Sequence, residues 1–325
     1  MSFNTNNRVV IDDDRKGYFT GINSITVSNL SKGFQGSNFG YSSGGKNFPN
    51  PVNIIDRFPF ASSSNATDVG DLSAARMQAA GQSSLVSGYT SGGIGPPALN
   101  VIDKFSFANG GNAVNIGTLS VARYATAGAS SSTDGYLMGG TGGGPTSGTN
   151  IDKFPFASES YVISIGTITV ERQDGAGQSS VTHGYLSGGL RGGNHNVIDR
   201  FPFSTNSNAS DVGDLTPASG RYGIAGQSST AHGYNSGGHT GFPAGLTVID
   251  KFPFATNNNA TNVGSLSTAR GSVAGQSSTT HGYISGGSNF STSNVIDRFP
   301  FATDGNATDF GDLTVGRYGL TGQQY

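Results

Sequence analysis

Cysteine and tryptophan are both absent from the 325 residues, and charged side chains make up only 12 % of them. Without cysteine there is no disulfide, no thiolate metal ligand and no Cys nucleophile. The charge content is about half of ordinary usage, while the 52 glycines are about twice it. Long solvated helices need charge on their outer face and few glycines, so an all-α fold is excluded. No apolar run approaches the ~20 residues of a membrane span, and membrane insertion is not expected. The net charge of −2 comes with no basic patch, which argues against a nucleic-acid partner. Residues 1–8 hold no apolar signal-like stretch, so synthesis in a cytosol is expected. What the chain does have is apolar aromatic surface. Twenty Phe and twelve Tyr can build a core despite the Ser, Gly and Asn bias.

Those aromatics recur at fixed spacing. The segment Ile55-Asp-Arg-Phe-Pro-Phe60 returns five times, with its Asp at 56, 103, 152, 199, 250 and 297, in steps of 47, 49, 47, 51 and 47. Three further landmarks keep the same period: Gly-Tyr-x-x-Gly-Gly from Gly40, Gly-x-Leu/Ile from Gly70, and a single arginine at 76, 123, 172, 221, 270 and 317. Each unit contains four short runs of strand character bounded by Gly/Asn clusters, and no window shows a helical apolar period. Six units of four strands predict a six-bladed β-propeller, all-β, rather than a solenoid. The ending Arg317-Tyr-Gly-Leu-Thr-Gly-Gln323 copies Arg221-Tyr-Gly-Ile-Ala-Gly-Gln227. The C-terminal strand is therefore expected to close the ring against Gly40–Gly45, leaving no open sheet edge. Residues 36–325 form the propeller on this reading, and residues 1–35 an N-terminal arm that could serve attachment.

Paired glycines after an aromatic strand, an Ile-Asp-Arg-Phe strand about ten residues later and the unit-ending Arg together resemble the kelch repeat family. The resemblance spans roughly residues 40–325. It departs from the family in lacking the Trp usual in the fourth strand. It implies that the post-Arg strand is innermost. The wording Phe-Pro-Phe-Ala…Asn-Ala-Thr-Asp…Gly-Asp-Leu and the leader Val9-Val-Ile-Asp-Asp-Asp-Arg15 are similar to structural, tail- or fibre-like proteins of marine cyanobacterial phages. That second resemblance implies a virion component, made in the host cytoplasm.

Length variation singles out one face. The distance from Arg to the next Gly-Tyr is 12 in every intact unit, whereas Gly-Gly to the following Asp runs from 10 to 12 and Leu215 to Arg221 gains two residues. The variable segments are the loops between the second and third strands and one crossover to the next blade, which share one face, and recognition usually sits in variable loops on a rigid scaffold. These loops are residues 46–53, 94–100, 141–150, 190–196, 239–247 and 288–294, and none contains Asp or Glu. They carry Asn47, Phe48, Arg191, His195, His239, Phe242, Asn289 and Phe290, the candidate ligand-binding residues. Aromatic faces stack on sugars, while Asn, His and Arg give directional hydrogen bonds.

No catalytic residue, metal site or cofactor is expected. Galactose-oxidase-like chemistry needs a Cys-linked Tyr, and sialidase boxes need Trp. His183, His232 and His281 share one phase of the repeat and read as turn residues, too far apart around a ring to share an ion. The six Arg and six Asp, one per blade, read as scaffold pairs, and the Gln after Gly in the innermost strand as a lining of the central channel. The Asn-Ala-Thr/Ser triplets at Asn65, Asn208, Asn259 and Asn306 read as turn chemistry. Asp12-Asp-Asp14 reads as a solvated or docking patch. The expected function is a non-enzymatic virion structural or attachment protein binding a host-surface glycan or a neighbouring virion protein. The alternatives are an intracellular kelch-type adaptor, which would be cytoplasmic, and a carbohydrate-active enzyme.

Overall fold

The computed structural model describes residues 35–143, 148–158 and 162–325. The expected arm therefore falls outside it except for Gln35, as do Asp12–Asp14 and four residues of the 141–150 loop. No helix occurs among the described residues. Six four-stranded antiparallel sheets form a six-bladed β-propeller. Blade II illustrates the plan: Ala80–Ser83 is innermost, followed outward by Ser87–Ser91, Val101–Ser106 and Val114–Thr118. Blades III to VI repeat it from Ala127–Ser130, Ala176–Ser179, Ala225–Ser228 and Ala274–Ser277.

Blade I is built from both ends of the propeller. Its innermost strand is Thr321–Gln324, paired with Phe39–Ser43, then Ile54–Pro59 and Thr67–Asp71. The register runs Gly40↔Gln324 to Ser43↔Thr321, as the copied C-terminal ending predicts. The C-terminal strand closes the ring.

Each motif has a packing reason. A Cβ on Gly40 would lie 2.3 Å from the Phe58 ring, and Gly88, Gly135, Gly184, Gly233 and Gly282 stand under the matching Phe of their own blades. Only glycine leaves room for that ring. The next residue, Tyr, points the other way and covers the two Phe of the following blade. Tyr41 meets Phe105 and Phe107, and the pattern continues round to Tyr283 against Phe58 and Phe60, with centroids 4.6–5.6 Å apart. The core is thus six inter-blade aromatic wedges rather than one central cluster.

The repeated Arg and Asp are buried ion pairs. Arg76–Asp103, Arg123–Asp152, Arg172–Asp199, Arg221–Asp250, Arg270–Asp297 and Arg317–Asp56 all lie at 2.9–3.0 Å. Burial pulls each guanidinium down from its ordinary pKa, and the facing carboxylate pushes it back up. Each Asp also accepts from a Ser or Thr on the crossover entering its blade, as Asp103 does from Ser73. The pairs therefore pin every crossover from the rim of one blade onto the end of the next.

The Asn of the Asn-Ala-Thr/Ser triplets is likewise structural. Asn65, Asn208, Asn259 and Asn306 each accept a backbone N–H from the outer strand of the preceding blade, at 3.0–3.1 Å. The glutamines correct an expectation. Gln82, Gln178, Gln227, Gln276 and Gln323 point between blades rather than forming the channel wall. Their amides donate to the carbonyls of Tyr136, Tyr234, Tyr283, Tyr41 and Tyr89 at 2.9–3.1 Å. The channel is lined instead by backbone, because the glycine before each of these positions abuts the neighbouring glycine carbonyl.

Candidate functional site

The variable loops and the crossovers lie at one end of the blades. In every blade the start of the loop pairs with the crossover residue just before the innermost strand: Lys46 with Tyr318, Met77 with Ile94, Tyr124 with Thr141, Gln173 with Leu190, Tyr222 with His239, and Gly271 with Ser288. The loops are therefore anchored around the channel mouth. The opposite end carries the short turns, among them the three turn histidines. His183 and His281 each take a hydrogen bond with the preceding Thr at 2.8 Å, as turn residues do.

The structure separates the eight candidate residues into three groups. Phe48, Phe242 and Phe290 stand in solvent, 60 %, 60 % and 78 % exposed, on blades I, V and VI, which are consecutive around the ring. Phe48 leans on Tyr318 at 5.4 Å, with Lys46 Nζ 5.1 Å from its ring centroid, and the Phe242 amide donates to the Tyr222 hydroxyl. Phe290 tips the tight turn between Ser288–Asn289 and Ser291–Thr292, at φ 63°. A bulky residue rarely adopts that left-handed conformation, and it holds the ring outward. Asn47 and Asn289 are exposed beside them, and Asn289 accepts the Gly245 amide of the neighbouring loop. These five residues share one arc of the face.

Arg191 and His195 sit together on blade IV. Arg191 pairs with Glu171 at 2.9 Å, and His195 Nε2 lies 3.1 Å from the Arg191 carbonyl. His239 departs from the expectation of a surface contact, because it is 0 % exposed. Its Nδ1 lies 3.0 Å from the Ala244 carbonyl, Tyr222 and Phe242 flank it, and burial holds its pKa below the ordinary value. The loop of blade V is two residues longer than those of blades II, IV and VI, and it folds over the imidazole. His239 therefore supports Phe242 rather than meeting a ligand.

A further feature of this face escapes sequence reasoning. Gln78, Ala125, Asp174, Gly223, Ser272 and Gly319, each two residues after a repeat Arg, all take φ between 53° and 63°. Each donates its amide to the carbonyl of the preceding one, at 2.6–2.8 Å, so six hydrogen bonds close a circle around the channel mouth. Behind it lies a cavity of about 140 Å³ lined by the innermost strands. The glycines at 223 and 319 were the available signal, since Gly opposite other residues at one repeat position marks a positive φ.

Ser272 Oγ lies 3.4 Å from His239 Nε2. The pair has the order of a nucleophile and base, but acyl transfer also needs preorganised donors for an oxyanion. The six amides of the circle are committed to one another. Among the described residues no group of three His, Asp or Glu could hold a metal ion.

At the far end of the channel, Ser130, Ser179, Ser228 and Ser277 each accept the amide of the preceding innermost strand through Oγ, at 2.9–3.0 Å. Gln35 is buried there. Its amide donates to the Ser228 and Ser278 carbonyls at 3.2 and 3.3 Å, while Gly36 N donates to Ser277 O. The chain therefore enters the ring at the end opposite the variable loops. No family model and no curated protein sequence matches the chain.

Proposed function

We propose that the protein is a non-enzymatic attachment module of a phage virion, whose loop face binds a host-surface glycan. The observation that carries this reading is the arc of Phe48, Phe242 and Phe290 held in solvent on three consecutive blades. Exposed rings of this size cost solvation and are retained where they meet a partner. Asn47 precedes Phe48, Asn289 precedes Phe290 and the Tyr222 hydroxyl meets the Phe242 amide, so polar groups accompany each ring, which suits a sugar with its apolar face and hydroxyl edge. A further feature supports the reading. The loops carry no carboxylate, so the acid and base pair of a glycoside hydrolase is not available within them.

The test is binding to an array of bacterial lipopolysaccharide and capsular glycans. Phe48→Ala, Phe242→Ala and Phe290→Ala combined are expected to lower retention at least about tenfold, with Tm almost unchanged because the rings are exposed. Equal retention by the triple variant, with loss on replacing Leu85, Val86 and Val181 of the opposite face, would overturn the reading.

A further inference from the structure

The six positions around the channel mouth are not alike. Gln78, Asp174 and Ser272 occupy alternate places, and Ala125, Gly223 and Gly319 fall between them. Gln78, Asp174 and Ser272 all line the cavity, each separated from the next by a small residue of the circle. Glycine serves the backbone there at no steric cost, and two blades use it. The other four blades place a side chain there against that cost, and three of those side chains are polar.

Their hydrogen bonds leave one kind of group facing inward. Gln78 Nε2 donates to Asp174 Oδ1 at 3.0 Å across the mouth, so its Oε1 remains an acceptor. Burial lowers the His239 pKa, the Ala244 hydrogen bond acting to raise it, and Nδ1–H donates to the Ala244 carbonyl. Its Nε2 is then an acceptor for the Ser272 hydroxyl proton, which leaves Ser272 Oγ accepting. Asp174 offers a carboxylate and is, among the described residues, the only ionisable side chain lining the cavity.

We infer that the channel mouth is a binding site for a primary ammonium group, received by Asp174, Gln78 Oε1 and Ser272 Oγ. An –NH₃⁺ group presents three donors in threefold array, matching three acceptors at alternate places on a six-membered circle. One carboxylate balances one positive charge. A calcium ion would require six to eight oxygens, with several of them charged. The site is independent of the exposed Phe arc and goes beyond the glycan reading, so either can fail alone.

Desolvation raises the Asp174 pKa to about 6, with the Gln78 hydrogen bond acting to lower it. Binding to the ionised form therefore weakens as pH falls through 6. The groups facing Asp174 from the other crossovers are Gln78, Ala125, Gly223, Ser272 and Gly319, with His239 behind Ser272, so among the described residues that line the cavity no other side chain is ionisable.

The test titrates methylammonium chloride into the full chain at pH 7.5 and constant ionic strength, followed by calorimetry and Tm. One saturable site with a rising Tm is expected. Tetramethylammonium, which has no N–H, should bind at least about tenfold more weakly. Asp174→Asn, which tolerates this backbone, should lose about tenfold or more, while Ala125→Gly should bind as the unsubstituted chain does. Below pH 6 the affinity should fall about tenfold per unit. Absence of binding, equal affinity for tetramethylammonium, indifference to Asp174→Asn, or calcium binding that depends on Asp174 would each overturn the inference.

Discussion

Each buried Arg–Asp pair lies where neither partner can be removed alone. Arg76 has one guanidinium nitrogen 2.9 Å from Asp103 and donates to the Thr90 carbonyl, while both Asp103 oxygens accept from Ser73. Arg76→Met leaves a carboxylate in the interior with a serine as its remaining partner. It is expected to cost about 3–5 kcal/mol, whereas Arg76→Met with Asp103→Leu should lose markedly less, since the uncompensated charge is then gone. Urea denaturation of the two single variants and the double variant measures this. A double variant no more stable than Arg76→Met would show that the pair's hydrogen bonds, and not the stranded charge, dominate.

At the scale of the strand, blade III is the informative exception. Five innermost strands place Gln beside a Ser of the next strand outward, at 2.9–3.2 Å from Gln Oε1. Blade III has Ala129 and Met138 at those two positions, and both are buried in one apolar cluster. Polar pair and apolar pair fill the same space, so the two positions change together. Ala129→Gln alone should cost about 1–3 kcal/mol, through crowding against Met138 and a buried amide short of one partner. Adding Met138→Ser should recover most of that loss, with a coupling of about 1 kcal/mol or more in thermal or urea unfolding. Strict additivity would mean that the two side chains do not share the site.

For the whole molecule, closure is the decisive event. Removing residues 318–325 takes away the innermost strand of blade I, the buried Leu320, and Gly319 from the circle at the channel mouth. The truncation exposes a strand edge on blade I, opens the backbone circle and removes the Gln324 amide that donates to Ser83 Oγ. Loss of the cooperative transition, or a Tm lower by more than about 10 °C, is expected in calorimetry. A truncated chain that melts like the full one would mean that blade I is stable with three strands.

The number of blades, the winding of each and the closure of the ring were all legible along the chain. All three follow from the pattern of one unit, repeated: Gly-Tyr makes room for a ring and then covers the next pair, and the Arg that ends one unit finds the Asp of the next. The exposed Phe were legible too, as large apolar residues in polar variable loops. Three things were decided only by tertiary structure. His239 lies in a variable loop, yet the fold of that loop over its own crossover buries it. The glutamines follow the channel glycine in sequence, but the close approach of neighbouring backbones turns them between blades. Gln78, Asp174 and Ser272 are about a hundred residues apart, and nothing local relates them. They meet because a closed ring brings one position from every blade to a common axis, and distance from an axis is not written in the spacing along the chain.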